Sequence, residues 1–243
     1  MTSLNPDFSS VRKEDAPKVV LFDLWRTLYL SIDKEPIKDL QEIFGHKVEK
    51  GEHGHWEAQL DQSFLRLCLT TDVCDPELFL SKVAAVFGYT PSAAALERFK
   101  AILAREVLNL AQYKDVDETL QGLRSKGYRL GVVSNLWAFP ERRIFSDGGF
   151  GANFEHRIYS FEVGHRKPEP EIFLEACRRF GVRPDECLMV GDNLEADIRG
   201  ALNVGMSAAL IDRDPRPGEE RPFIPGVRVM RTLAELLELP VIG

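Results

Sequence analysis

The chain has no apolar run long enough to cross a membrane; its longest are short and interrupted, as at Leu188-Met189-Val190-Gly191. It also lacks a surplus of positive charge. With 31 Lys+Arg against 38 Asp+Glu its formal charge is −7, which speaks against nucleic-acid binding by broad phosphate neutralisation and against docking to an anionic membrane. Cysteine is scarce: Cys68, Cys74, Cys177 and Cys187 form no Cys-x-x-Cys pair, so they read as reduced, partly buried thiols rather than a disulfide framework or a metal knot. Residues 1–16 are polar and mixed in charge, without the apolar centre of a secretion signal, and read as a lead-in to a cytoplasmic protein. There is no internal repeat and no low-complexity tract. The 243 residues suffice for one large domain, or a medium one with an insert.

What is present is an alternation. Val19 to Phe22, Leu130 to Val133, Arg157 to Tyr159 and Cys187 to Val190 are short apolar runs ending at turn or polar residues, the mark of buried strands. Ala208 to Ile211 adds a fifth and Val227 to Met230 a sixth. Helical spacing separates them, through Leu120 and Leu123, through Ile172, Ala176 and Phe180, and from Ala196 to Val204. Strands alternating with helices predict an α/β fold, a Rossmann-like parallel sheet covered on both faces. The proline-rich stretch from Asp214 to Gly226 reads as a loop before a last strand and helix.

Between the first two strands the pattern changes. A parallel crossover needs about a dozen residues, yet here a far longer stretch intervenes, with no convincing strand and four apolar helical patterns. These are Ile37/Leu40/Phe44, Trp56/Leu60/Phe64/Leu67, Phe79/Val83/Val86 and Phe99/Leu103/Val107/Leu110. Gly45 and Gly88 read as helix ends, and Asp75-Pro76 and Thr90-Pro91 as N-caps followed by first-turn prolines. The expected division is a lead-in at 1–16, a core from 17–31 and 113–243, and an inserted four-helix subdomain at 32–112.

In an open α/β sheet, ligands bind beyond the carboxyl ends of the strands, so the residues after each run carry the chemistry. They are Asp23-Leu24-Trp25-Arg26-Thr27, then Ser134-Asn135, then Lys167 in Gly164-His165-Arg166-Lys167-Pro168, then Gly191-Asp192-Asn193-Leu194-Glu195-Ala196-Asp197. Carboxylates, a hydroxyl and an ammonium on one rim suit phosphoryl transfer, which asks for positioning and charge neutralisation. Strand-end aspartates can hold Mg²⁺, and an aspartate can be the nucleophile. Ser134 and the backbone N–H groups after it, Asn135 included, can bind phosphate oxygens, and Lys167 can offset their charge. Glu52-His53-Gly54-His55 looks like a metal cluster but reads more simply as a solvated loop.

These four elements, in this order, resemble the four motifs of the haloacid dehalogenase-like (HAD) hydrolases. GDNLEADIRGA from Gly191 and GHRKPEPEIF from Gly164 come close to the family's wording, and the helical insert resembles its C1 cap. The resemblance, over about residues 17 to 240, implies that Asp23 is the nucleophile and a metal ligand, that Thr27 orients it, and that Ser134 contacts phosphate. It implies that Lys167 steadies both nucleophile and phosphate. Asp192 and the Trp25 backbone carbonyl would hold Mg²⁺, with Asp197 holding it through water or holding Lys167. The implied reaction is hydrolysis of a small phosphorylated metabolite through an aspartyl-phosphate.

One motif departs from the family. Its phosphatases carry a second aspartate two residues after the nucleophile, as general acid and base, and usually a glycine next; here stand Trp25 and Arg26. Losing the acid/base costs roughly 10²–10⁴-fold in rate. Haloacid dehalogenases also carry an aromatic residue there, but they lack an acid in the place of Asp192 and use a cap arginine soon after the first motif, whereas residues 27–65 contain no arginine. A slow Mg²⁺-dependent phosphatase leads; a dehalogenase and a non-catalytic phospholigand- or partner-binding domain stay open. The sequence is silent on the oligomeric state.

Overall fold

A computed structural model describes residues 8–31, 36–44, 62–108, 110–139, 144–145, 150–213 and 224–243. The core strands are β1 (Val19–Phe22) and, after a small ribbon of β2 (Tyr29–Ser31) and β3 (Leu110–Gln112), β4 (Arg129–Ser134), β5 (His156–Tyr159), β6 (Cys187–Gly191), β7 (Ser207–Ile211) and β8 (Arg228–Met230). Six of them form one sheet in the order β5-β4-β1-β6-β7-β8, parallel throughout. Both faces are covered, which is why the strands read as unbroken apolar runs. In β1, Val20 and Phe22 join one buried cluster and Val19 and Leu21 the other.

Between β2 and β3 lie α1 (Pro36–Ile43), α2 (Gln62–Leu69), α3 (Pro76–Val86) and α4 (Ala93–Leu108). After β3 come α5 (Val116–Ser125) and, past β5, α6 (Pro170–Phe180). Helix α5 and the 3-10 segment Leu233–Glu238 cover the Phe22 face through Leu120, Leu123, Leu233 and Leu236. The Leu21 face is covered by α6 through Ile172, Phe173 and Ala176, joined by Ile198 and Ala201. Among the described residues no helix is long and apolar enough to cross a membrane. The thiols of Cys68, Cys74, Cys177 and Cys187 are all free, with Cys74 alone exposed.

Several local expectations change. The insert was expected to contain no strand, yet Leu110, assigned by spacing to the fourth helix, belongs to β3, which pairs antiparallel with β2. The chain entering the insert and the chain leaving it run side by side and satisfy each other's backbone groups. The cap of α4 is Ser92, whose hydroxyl accepts from Ala95 N–H at 3.2 Å, rather than Thr90. Asp75 does cap α3, accepting from Leu78 N–H at 2.8 Å. The helix expected from Ala196 begins at Leu194 as a π-helical turn to Arg199, followed by an α-helical turn at Gly200–Asn203. Gly45, Trp56, Leu60 and the Glu52–His55 stretch lie outside the described residues.

The insert has its own core of Phe64, Leu65, Phe79, Leu80, Val83 and Phe99, and this core also takes in Trp137, from the segment that follows β4. Trp137 meets Phe79 and Phe99 at centroid distances of 5.9 Å each and Phe139 at 5.3 Å. The loop after one site-bearing strand is thus built into the insert.

Candidate active site

Register brings the site together. Phe22 pairs with Val132 on one side and with Val190 on the other, so the ends of β4 and β6 flank the end of β1. The chain goes from β1 to β4 and β5 on one side, then crosses to β6 on the other. The crevice where the order reverses is where such sheets bind ligands. Asp23 follows β1 there, its N–H donating to Val190 O at 2.9 Å, with Ser134 ending β4 and Asp192 following β6.

The centre is a buried ion cluster of Asp23 (6% exposed), Lys167 (3%) and Asp197 (1%). Lys167 Nζ donates to Asp23 Oδ1 at 2.6 Å, Asp197 Oδ1 at 2.5 Å and Val133 O at 2.8 Å, which uses all three ammonium protons. Burial works against the charged lysine, but the charges of Asp197 and Asp23 and the hydrogen bonds to them outweigh it and raise its pKa. Asp197 is pushed up to about 6, by burial first, with the Lys167 charge opposing. Asp192 is also raised, by desolvation and then by its acidic neighbours Asp23 and Asp197. Ser134 Oγ donates to Asp23 Oδ1 at 3.2 Å.

The shells around these groups fix them. Asn135 brackets the Lys167 backbone, accepting from its N–H at 2.7 Å and donating to its carbonyl at 3.0 Å, so its side chain is committed there. Asn193 caps the π turn, accepting from Glu195 N–H and Ala196 N–H, while its own N–H donates to Asp197 Oδ2 at 2.9 Å. The wide turn lets Asp197 fold back over the strand end, a use to which such turns are often put. Gly191 must be glycine for this, since a Cβ there would stand 2.2 Å from Asp197 Oδ2.

Thr27 is fully buried, but its hydroxyl makes no hydrogen bond to Asp23 or to any described partner. Its carbonyl instead accepts two bonds from Arg213, at 3.1 and 2.7 Å. Arg213, which also binds Asp115 and covers the Tyr113 ring, was missed by sequence reasoning; the strand-end rule applied to β7 would have found it. His165 stands at the rim, its Nδ1 3.0 Å from Glu169 Oε2. Arg66, the first arginine of the insert, pairs with Glu169 as well.

Carboxylate oxygens of Asp23, Asp192 and Asp197 lie within 4.8 Å of one another, an all-oxygen set of the kind Mg²⁺ accepts. The turn after Asp23 is closed by Leu28 N–H and Tyr29 N–H to Leu24 O and by Arg26 N–H to Tyr29 O, so none of its own backbone bonds draws on the Trp25 carbonyl. The donor set fits a divalent cation.

Known proteins resemble this chain in sequence and in fold. The chain is 40% identical over 119 residues to a glyceraldehyde 3-phosphate phosphatase of Methanopyrus kandleri, covering 46% of this chain and 51% of the other. It is 35% identical over 125 residues to a phosphoserine phosphatase of Thermus thermophilus, covering 51% and 50%. The chain thus matches about half the length of these curated relatives. The crystal structure of a HAD phosphatase from Thermococcus onnurineus superposes with a TM-score of 0.57 at 30% identity, covering 90% of this chain and 95% of that one. A 2-haloacid dehalogenase from Pseudomonas syringae shares the fold, with a TM-score of 0.58 at 24% identity over 91% and 97%. A family model described as haloacid dehalogenase-like hydrolase matches residues 17–205, well over half of the sequence. The chain belongs to the haloacid dehalogenase-like hydrolases.

Proposed function

We propose that this hydrolase is a Mg²⁺-dependent phosphatase of small phosphorylated metabolites, working in the cytoplasm through an aspartyl-phosphate on Asp23 and slowed by Trp25. The observation that carries the reading is the hold on Asp23: Lys167 and Ser134 both bind Oδ1, which leaves Oδ2 to attack. Mg²⁺, held by Asp23, Asp192 and the Trp25 carbonyl with Asp197 outside them, would supply charge neutralisation for the transferring phosphoryl group. Asp23 Oδ2 forms a bond to phosphorus as the ester P–O bond breaks, and the electron pair leaves with the alcohol oxygen. Lys167 keeps its hold on Asp23 Oδ1 and offsets the phosphoryl charge by its nearness, Ser134 Oγ turns from Asp23 to meet a phosphoryl oxygen, and the unpartnered Thr27 hydroxyl offers another donor. Trp25 has no proton to give, so the leaving oxygen takes one from water. A water then attacks the phosphorus of the aspartyl-phosphate, releasing inorganic phosphate and restoring Asp23. The insert, residues 32–112, acts as a cap that excludes bulk water and chooses the substrate.

Good leaving groups need no proton donor, which gives the test. An aryl phosphate is hydrolysed with Mg²⁺ and not by Asp23→Asn, while alkyl phosphates lag by about 10²-fold or more. Trp25→Asp narrows that gap. A second reading, 2-haloacid hydrolysis, is favoured by the aromatic Trp25 and opposed by the commitment of Arg66 to Glu169, which removes it as a carboxylate clamp. Metal-independent halide release, with no phosphatase activity, would establish it. Neither activity in folded protein would leave a phospholigand-binding domain.

A further inference from the structure

Arg26 holds a left-handed backbone conformation, φ +57°, that glycine and asparagine adopt far more readily than arginine. Its guanidinium is turned toward the carboxylates, with Nε 3.1 Å from Asp192 Oδ2, and its side chain is half exposed at the rim. No other ion pair of Arg26 is found among the described residues. An arginine is always charged, so the cluster of Asp23, Asp192 and Asp197 has two fixed cations beside it, Lys167 and Arg26. Lys167 lies deep, between Asp23 and Asp197; Arg26 lies outside, on the carboxylate that Lys167 leaves untouched.

We propose that Arg26 is a built-in counter-cation that competes with the divalent metal for Asp192, so that the metal enters by exchange and the site's affinity for it is set by this arginine. The inference rests on the Mg²⁺ reading above and deepens it. With both cations ionised beside three ionised carboxylates, the cluster sums to −1; without Arg26 it sums to −2. A doubly charged ion therefore meets a weaker field while Arg26 is in place, and it must first break the Arg26–Asp192 pair. Binding swings the guanidinium off Asp192 into the crevice mouth, where its N–H fork suits the oxygens of an incoming phosphate. Metal and anionic substrate would then favour each other's binding, each removing what opposes the other.

The test is titration of the whole protein with Mg²⁺ alone, by calorimetry, in low and high salt. Arg26→Asn, at ease in a left-handed turn, and Arg26→Gln, as strained there as arginine, are both uncharged and both bind Mg²⁺ at least tenfold more tightly than wild type. Arg26→Lys, which keeps the charge, stays within about threefold of wild type. The use of two uncharged residues separates charge from relief of backbone strain, and thermal unfolding shows that each variant is folded. Added inorganic phosphate tightens Mg²⁺ binding in wild type and does so less in Arg26→Asn. Equal Mg²⁺ affinity in wild type and both uncharged variants overturns the proposal and leaves the phosphatase reading standing. If no protein of the set binds Mg²⁺ at all, the metal-dependent reading falls with it.

Discussion

Replacing Lys167 by methionine tests the ion cluster most directly. Methionine matches the length of the lysine stem, so packing is nearly kept while the charge is deleted. The Val133 carbonyl loses its donor, and two carboxylates that are almost wholly buried lose the cation 2.6 and 2.5 Å away. Removing one partner of a buried ion pair costs about 3–5 kcal/mol. In a domain of this size each kcal/mol moves the melting temperature by roughly 2–4 °C, so a fall of roughly 6–20 °C is expected. The loss must also depend on pH. Asp197 is already raised by burial, and without the opposing ammonium it holds its proton still more strongly when folded than when unfolded. The folded variant therefore carries protons that the unfolded chain has released, and its stability falls as pH rises through that interval. Thermal unfolding of wild type and variant at pH 5 and pH 8, without metal, should show the larger gap at pH 8. A gap under about 3 °C, or one equal at both pH values, would show that the three groups do not share a tightly coupled buried charge.

Three further substitutions probe the surroundings. Gly191→Ala forces a methyl group against Asp197 and should cost about 1–3 kcal/mol; in an Asp197→Ala background most of that cost should vanish, as a double-mutant cycle by denaturant unfolding would reveal. Trp137→Ala empties the centre of the insert's aromatic core and should cost about 3–5 kcal/mol, with protection of amide hydrogens lost first in α3 and α4; unchanged exchange in those helices would contradict the packing. Glu175 is held down to about 2 from an ordinary 4.5 by hydrogen bonds from Arg178 and then Arg179. Its stabilising effect is therefore complete above about pH 4.5 and lost as pH falls toward 2. Glu175→Gln should cost no more than about 1 kcal/mol at neutral pH and nothing at pH 2, by urea unfolding across that range.

Much of the fold was legible because a parallel sheet buried on both faces leaves an unambiguous trace: runs such as Val19-Val20-Leu21-Phe22 have no polar side, and each ends at a residue that must face water or a ligand. The helical insert was legible from its spacing and from Asp75-Pro76. What escaped was structure whose cause is a neighbour rather than a pattern. Nothing in Leu110-Ala111-Gln112 marks a strand until Tyr29–Ser31 is alongside. Ser92 caps α4 because the helix begins two residues later than Pro91 suggests, and both Thr90 and Ser92 offer a hydroxyl. The wide turn at Leu194–Arg199 exists because Asp197 is drawn back to Asn193 N–H and Lys167, a tertiary demand written in no local propensity.

The site divides the same way. Asp23, Ser134, Lys167, Asp192 and Asp197 could be named from position alone, since they close the strands or follow them closely, and the register that aligns Phe22 with Val132 and Val190 does the assembling. The supports could not. Arg213 reaches Thr27 across a long sequence separation, the Asn135 side chain brackets the Lys167 backbone, and Trp137, which no motif singles out, joins the insert's core. Trp25 and Arg26 stood out as departures, yet their meanings differ in kind. Trp25 removes a proton donor, which a sequence states outright. Arg26 adds a charge whose effect depends on where a flexible side chain ends, and only its 3.1 Å approach to Asp192 turns an odd residue in a turn into a statement about cation affinity. In the proposed phosphatase the tryptophan would govern which leaving groups can be expelled, and the arginine would govern when the site is charged for the reaction.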